Sequence, residues 1–222
     1  MQLSEIVKAV QDVVHNSDYT SDIIKSYINE AILAVATGVE IPGRRQLSPP
    51  LPDLYIADDV ETVVGAGLCE LPEDYNRNVV MVVNSTGETI RHIPSFIKFM
   101  QTSADKAGGS VSKYAVNGKQ LHYRDIPAAA TTLTVHYYKN PEPLSADGDI
   151  PEGIPPTLHR SLIVGYAARE IFNRIELGLA GPKVDTANYD SIFQGGILKL
   201  VDLIPEDGEP DYYDNTTDYV GK

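Results

Sequence analysis

Apolar residues at Leu3, Ile6, Val7, Val10 and Val14 recur at the three- and four-residue spacing of one helix face, and Asn16-Ser17-Asp18 interrupts the pattern. This predicts a short amphipathic helix. A second stripe, Ile23, Ile24, Tyr27, Ile28, Ala31, Ile32 and Val35, predicts another. Thr20 or Ser21 is its expected N-cap, Asp22 sits favourably against the dipole in its first turn, and Gly38 closes it. Two such helices joined by a short polar segment make a helical hairpin.

The texture changes at Pro42. From there to about Ala130 the chain is rich in Gly, Pro and Asn, with short β-type runs. Asn78 to Val83 reads as a strand, Ser85-Thr86-Gly87 as a turn, and Glu88 to Ile93 as the returning strand. Tyr114-Ala115-Val116 and Gln120 to Tyr123 flank Asn117-Gly118, and both of these residue types tolerate positive φ, which is a strong hairpin signal. Thr131 to Tyr138 alternates, with Leu133, Val135 and Tyr137 on one side and Thr132, Thr134 and His136 on the other, as a half-buried strand does. Ser95 is the expected cap of a short helix carrying Phe96, Phe99 and Met100 on one face.

Helical spacing returns after Pro155-Pro156. Thr157 is the expected cap of a long helix with the stripe Leu158, Leu162, Ile163, Tyr166, Ala167, Ile171 and Ile175, which Gly178 and Gly181-Pro182 end. A last helix is expected from about Thr186 to Leu203, weakened in its middle by Gly195-Gly196. This order places the chain in the α+β class: a helical bundle from the N- and C-terminal helices, an inserted β-rich subdomain and an extended C-terminal tail. The expected parts are a helical hairpin over 1–40, a β-rich insert over 41–150, C-terminal helices over 151–204 packing on the first two, and a tail over 205–222. No internal repeat is visible.

The chain has 222 residues, 42% of them apolar, enough for a sizeable core. Its net charge is −13, of which six acids and Lys222 place −5 on the last seventeen residues, leaving −8 on the body. Such a chain repels phosphates, which counts against a general binder of nucleic acid or of anionic membrane. Cys69 is the only cysteine, so neither an intramolecular disulfide nor a CxxC zinc site is open to it. The start, MQLSEIVKAV, interleaves acid and base and does not read as a signal peptide. No stretch approaches the ~20 apolar residues of a membrane span. A soluble protein of cytoplasmic origin with no membrane partner is expected.

Motifs for chemistry are absent. His15, His92, His122, His136 and His159 form no HxH or HxxxH pair, and there is no GxSxG, Walker loop or GxGxxG. Gly65-Ala66-Gly67 lacks the following helix of a phosphate loop and reads as a turn. Asp147-Gly148-Asp149 resembles a fragment of a calcium loop, but Leu158 stands where the twelfth-position glutamate is needed, so a turn is expected. Neighbouring carboxylates such as Asp58-Asp59 and Glu73-Asp74 arise by chance among 31 acids. No catalytic residue, cofactor or metal is expected, and the chain reads as a non-enzyme. Two features point to assembly. Arg44-Arg45, the only doubled basic site, is a candidate interface loop for an acidic surface. The terminal segment EDGEPDYYDNTTDYVGK has no aliphatic run from which to build a core. Its Asp211, Tyr212, Tyr213, Asp218 and Tyr219 are the candidate partner-binding residues.

Several segments, in consistent order from about residue 2 to 178, resemble the head-to-tail adaptor proteins of tailed bacteriophages, the head–tail connector or tail accessory family. They are LSEIVKAVQDVV and TSDIIKSYINEAI, then Glu70-Leu71-Pro72-Glu73-Asp74-Tyr75 before an apolar strand, and Ile93-Pro94-Ser95 opening a short helix. Tyr114 to Leu121 follows, then LTVHYYKNPEPLS over 133–145, and Pro155 to Tyr166 leading into an Ala-rich helix. The chain departs from that pattern in the proline-rich loop from Ile41 to Asp53 and in GLAGPKVDTANYDSIFQGG. The resemblance implies a homo-oligomeric ring, expected to be twelve-fold, docked under the portal protein in the virion neck. The ring would join the capsid to a tail nozzle or tail-completion protein and line the channel through which DNA passes, without specific binding, during ejection. It further implies that the terminal segment reaches onto the portal or a neighbouring subunit. Two other readings stay open: a neck or tail-completion protein that does not touch the portal, and a virion-associated peptidoglycan hydrolase, which would need a carboxylate pair in a cleft.

Overall fold

The first apolar stripe forms α1, Leu3–Val14, and all five of its predicted core residues are buried. Glu5 accepts the Gln2 backbone N–H at 2.9 Å. Two further amides of the first turn, on Leu3 and Ser4, donate to the carbonyls of Asp149 and Asp147 at 2.8 and 3.1 Å. The turn at 145–149 therefore caps α1 from far along the chain. The second stripe forms α2, Ser21–Thr37, which closes at Gly38 with φ +107°. Thr20 occupies the N-cap position, but its side chain makes no capping hydrogen bond. The Asn29 amide holds Leu144 by both backbone groups, donating to its carbonyl at 3.0 Å and accepting from its N–H at 2.8 Å.

These elements belong to a computed structural model that describes residues 1–102, 109–178 and 181–204. Among the described residues it contains five α-helices and two sheets. The first sheet runs β1 (Tyr55–Glu61), β7 (Thr132–Lys139), β3 (Tyr75–Asn84), all antiparallel. β7 is central, and its Leu133, Val135 and Tyr137 are buried as the alternation predicts. The second sheet runs β2 (Leu68–Glu70), β6 (Gln120–Arg124), β5 (Lys113–Asn117), β4 (Arg91–His92), with β4 parallel to β5.

Two expectations about this region change. The hairpin of β5 and β6 turns on Gly118-Lys119, because Asn117 is still paired with Gln120. Gly118, at φ +62°, supplies the left-handed first position of this two-residue loop. The strand expected to return over 88–93 pairs with β3 over a short stretch, through Asn84 N–H to the Glu88 carbonyl at 2.9 Å, a Val83–Thr89 bridge and Ile90 N–H to the Val82 carbonyl at 2.8 Å. The Asn84 carboxamide oxygen accepts from Thr86 N–H at 3.0 Å, its hydroxyl at 2.7 Å, and Glu88 N–H at 2.9 Å. This local alternative to the ladder tightens the turn, and the chain then crosses to the second sheet as β4. The short helix α3, Phe96–Gln101, is capped by Ser95 as expected, its Oγ accepting from Lys98 N–H at 3.3 Å.

After Pro155 the chain does not enter an α-helix at once. Pro156–Leu158 is a 3₁₀ turn that contains Thr157, so Thr157 is not a cap. His159–Val164 is a π-helix, and only then does α4 begin, Gly165–Ile175. Every residue from Leu162 to Ala168 is buried, so this stretch is enclosed on all sides rather than along one stripe. The last helix, α5, spans Val184–Leu203 without a break. Its first turn is capped from α4's end: Glu176 accepts from the N–H groups of Asp185 and Thr186 at 3.1 and 3.2 Å and from the Thr186 hydroxyl at 2.6 Å. The Thr186 hydrogen bond leads the effects that lower the Glu176 carboxyl pKa.

Gly196 sets the spacing between α5 and the π segment. A Cβ there would lie 2.9 Å from Leu162 Cδ2, 2.9 Å from Ser161 Oγ and 3.0 Å from Ser161 Cβ. The buried apolar side chains fall into two clusters. One joins α1, α2, the π segment, α4 and α5, with Leu51, Leu54, Tyr138 and Leu144 added. The other lies among the strands around Tyr114, Tyr123, Val135 and Tyr137.

Candidate functional site

Arg44 and Arg45 are both exposed, on a turn held at its base by main-chain pairing. Ile41 N–H donates to the Gln46 carbonyl at 2.8 Å and Arg44 N–H to the Ile41 carbonyl at 2.9 Å. Below them, Ser48 N–H donates to the Val39 carbonyl at 2.7 Å and Val39 N–H to the Ser48 hydroxyl at 3.0 Å. Leu47, 61% exposed, sits at the base of the turn, bridged to Glu40.

The stem of this turn is fixed by a residue that sequence reasoning missed. Arg77, from β3, donates Nη1 to the Thr37 carbonyl at 2.9 Å and Nη2 to the Ser48 carbonyl at 3.1 Å. A Cβ on Gly38 would fall 2.2 Å from Arg77 Nη1. Glycine at 38 thus meets two needs, a positive φ at the end of α2 and room for the guanidinium. The one available signal was a lone arginine immediately before an apolar strand run.

The other predicted site residues, Asp211, Tyr212, Tyr213, Asp218 and Tyr219, lie outside the described residues. The helix that leads towards them does carry a surface feature. An open groove of about 720 Å³ runs between α5 and the π segment, and Arg160, Ser161, Val164, Tyr189, Ile192, Lys199, Asp202 and Leu203 are among its walls. On α5, positions 192, 196, 199 and 203 share one face. Gly195 and Gly196 put no side chain between Ile192 and Lys199, and a Cβ at Gly195 would meet nothing within 4 Å. The glycine pair was visible in the sequence only as a helix defect.

The remaining sequence candidates have structural partners. Asp74 accepts the Tyr137 hydroxyl at 2.6 Å, and burial, with this bond, raises the Tyr137 pKa. Asp59 accepts from the Thr134 hydroxyl at 2.7 Å. Asp149 accepts from the N–H groups of Ser145 and Ala146 at 2.7 and 2.8 Å, which hold its carboxyl below the usual range. Asp147 pairs with Lys25 at 3.2 Å. The Asp147-Gly148-Asp149 segment is therefore a turn, as expected. Gly65-Ala66-Gly67 is also a turn, with Ala66 N–H on the Val63 carbonyl at 3.1 Å. Burial pushes the Cys69 thiol up to about 11, away from a reactive thiolate. His159 is fully buried, with Nε2 2.9 Å from the Ile154 carbonyl and Nδ1 3.0 Å from the Met1 amino group. A carbonyl can only accept, so the proton is on Nε2 and Nδ1 accepts.

Among the described residues, no three His, Cys, Asp or Glu side chains converge as metal ligands. Nor is any helix there long and apolar enough to cross a membrane. What the surface offers is a braced basic turn and a groove with cations on an apolar floor, features suited to contact with other chains. No curated protein matches the chain. The sequence profile of the SU10 adaptor protein family matches residues 1–213. The chain therefore belongs to the SU10 adaptor protein family, a family of phage head-to-tail adaptors.

Proposed function

We propose that this protein is a non-catalytic building block of the virion neck, assembled as a ring beneath the portal and joining the capsid to a tail protein. In this reading the helices of 1–40 and 151–204 form a bundle, the β-rich insert of 41–150 projects from it, and 205–222 is a strap. The strap makes its working contact with a partner, the portal or a neighbouring subunit. Tyr212, Tyr213 and Tyr219 fill apolar notches there, and Asp211 and Asp218 meet cations. Each buried tyrosine contributes about 1–2 kcal/mol, and repetition around a ring multiplies weak single docking into a firm joint. The Arg44-Arg45 turn, braced by Arg77, offers a second contact for an acidic neighbour. An acidic channel wall would let DNA slide past without gripping its phosphates.

The observation that carries this reading is the extent of the family match. It runs through residue 213, beyond the last described residue of the body at Ile204, and so takes in Asp211, Tyr212 and Tyr213. The test is co-sedimentation of the chain with purified portal rings, followed by electron microscopy of the complex. The full chain is expected to bind at the axial end of the portal, and a variant with Tyr212, Tyr213 and Tyr219 changed to alanine should fold normally but fail to bind. Normal binding by that variant refutes the role of the strap, and docking elsewhere than the axial end refutes the adaptor position.

A further inference from the structure

The groove beside α5 and the terminal segment match each other in chemistry and in reach. We propose that, in the free protein, the groove holds the chain's own segment Asp211-Tyr212-Tyr213-Asp214, storing the strap until a partner takes it. The proposal rests on the reading of 205–222 as a docking strap and adds where the strap sits beforehand.

Complementarity comes first. Arg160 and Lys199 are exposed on opposite walls, and among the described residues neither is in an ion pair. Among the described residues Asp202 is the one acid on the rim, leaving the site net positive on a chain of net charge −13. The apolar floor suits a tyrosine ring. Ile192 and Leu203, both lining the groove, are 40% and 56% exposed, and Gly195, one turn along α5 from Ile192, places no side chain that could screen them. Arg160 lines the same groove, and a guanidinium favours aromatic faces. The segment brings two adjacent tyrosines with an aspartate on each side, so ring and charge contacts can form together.

Reach comes second. The described body ends at the groove, since Leu203 lines it and Ile204 is buried. Along α5 from Leu203 back to Ile192 the distance is roughly 17 Å at about 1.5 Å per residue. From Leu203 to Tyr212 an extended chain spans up to about 30 Å. The segment can therefore double back over the groove without strain, and its tethering gives it a millimolar-range effective concentration there.

Chymotrypsin cleavage of the intact chain after Tyr212 and Tyr213, followed by mass spectrometry, tests this. In low salt the wild type should be cut roughly ten-fold more slowly than an Arg160→Glu/Lys199→Glu variant. The difference should be independent of protein concentration and should shrink in 0.5 M salt, where screening extends to about 4 Å. Adding Asp211→Lys and Asp214→Lys to the charge-reversed variant should restore protection, which also guards against a folding defect in that variant. Equal cleavage of wild type and variant, or no recovery on charge swapping, overturns the proposal. Protection that appears only as concentration rises also overturns it, by assigning the segment to a second copy. Portal co-sedimentation with the same variants reads the adaptor role separately. Retained portal binding without any cleavage difference removes the groove but leaves the adaptor, and lost binding with the difference intact does the reverse.

Discussion

Gly195 and Gly196 are neighbours in the middle of α5 with different surroundings, which makes them an internally controlled experiment. A Cβ at Gly195 meets nothing within 4 Å, whereas one at Gly196 lies 2.9 Å from Leu162 Cδ2 and 3.0 Å from Ser161 Cβ. Carbon contacts normally sit at about 3.5–4.0 Å, so the second methyl overlaps its neighbours by roughly half an ångström. Leu162 is fully buried and cannot swing aside, and α5 must shift instead. Both alanines gain the same helix propensity, about 1 kcal/mol over glycine. Only Gly196→Ala adds overpacking, which costs about 1–3 kcal/mol. Gly195→Ala is therefore expected to stabilise the fold by about 0.5–1 kcal/mol. Gly196→Ala should range from neutral to about 2 kcal/mol destabilising, the overpacking cost less the propensity gain. The difference between them isolates the helix contact from propensity. Urea unfolding with an unchanged m-value measures it directly, and in a thermal melt each 1 kcal/mol appears as about 2–4 °C at this chain size. If Gly196→Ala proves as stabilising as Gly195→Ala, α5 does not lie this close to the π segment and the account of Gly196 is wrong.

Two further outcomes test other parts of the structure. Arg77→Ala removes both donors from the Thr37 and Ser48 carbonyls, at an expected cost of about 1.5–3 kcal/mol for these partly solvated, charge-assisted bonds. Hydrogen exchange at Ile41 and Ser48 should quicken with it, and unchanged protection there would show that the Arg44-Arg45 turn does not depend on Arg77. His159 should make stability fall with acid. Burial is the main cause that lowers its pKa, so below the ordinary value near 6.5 the unfolded chain takes up a proton that the folded one refuses. Stability is thus complete above that pH and declines as pH drops from about 6.5 towards the lowered folded value, by up to about 1.4 kcal/mol per pH unit. Asp149 and Glu176, whose carboxyls are held low, add their own loss only in the carboxylate range near pH 4. Urea midpoints at pH 7, 6 and 5 measure the slope, which His159→Gln should reduce; a midpoint that rises on acidification contradicts the buried neutral imidazole.

The sequence by itself determined the elements whose information is local. α1, α2, the alternation of β7 and the Ser95 cap each depend on residues within one or two turns of one another, so period and capping chemistry sufficed. The Asn117-Gly118 signal located the hairpin but missed the turn by one residue, because the ladder extends as far as Asn117 and Gln120 can pair. The terminal tyrosines and acids stood out in the sequence and lie outside the described residues. Tertiary structure alone decided the rest, since each remaining feature depends on groups distant in sequence. Asn84 closed a tight turn that sets 88–90 beside β3 before the chain crosses to the second sheet, and Glu176 capped a helix that begins eight residues later. Arg77 braced a turn from across the fold. The His159–Val164 stretch became a π-helix within all-round burial that no single stripe announces. A glycine pair reads as weakness in one dimension; its use as a close contact at Gly196 exists only once a second helix lies against it.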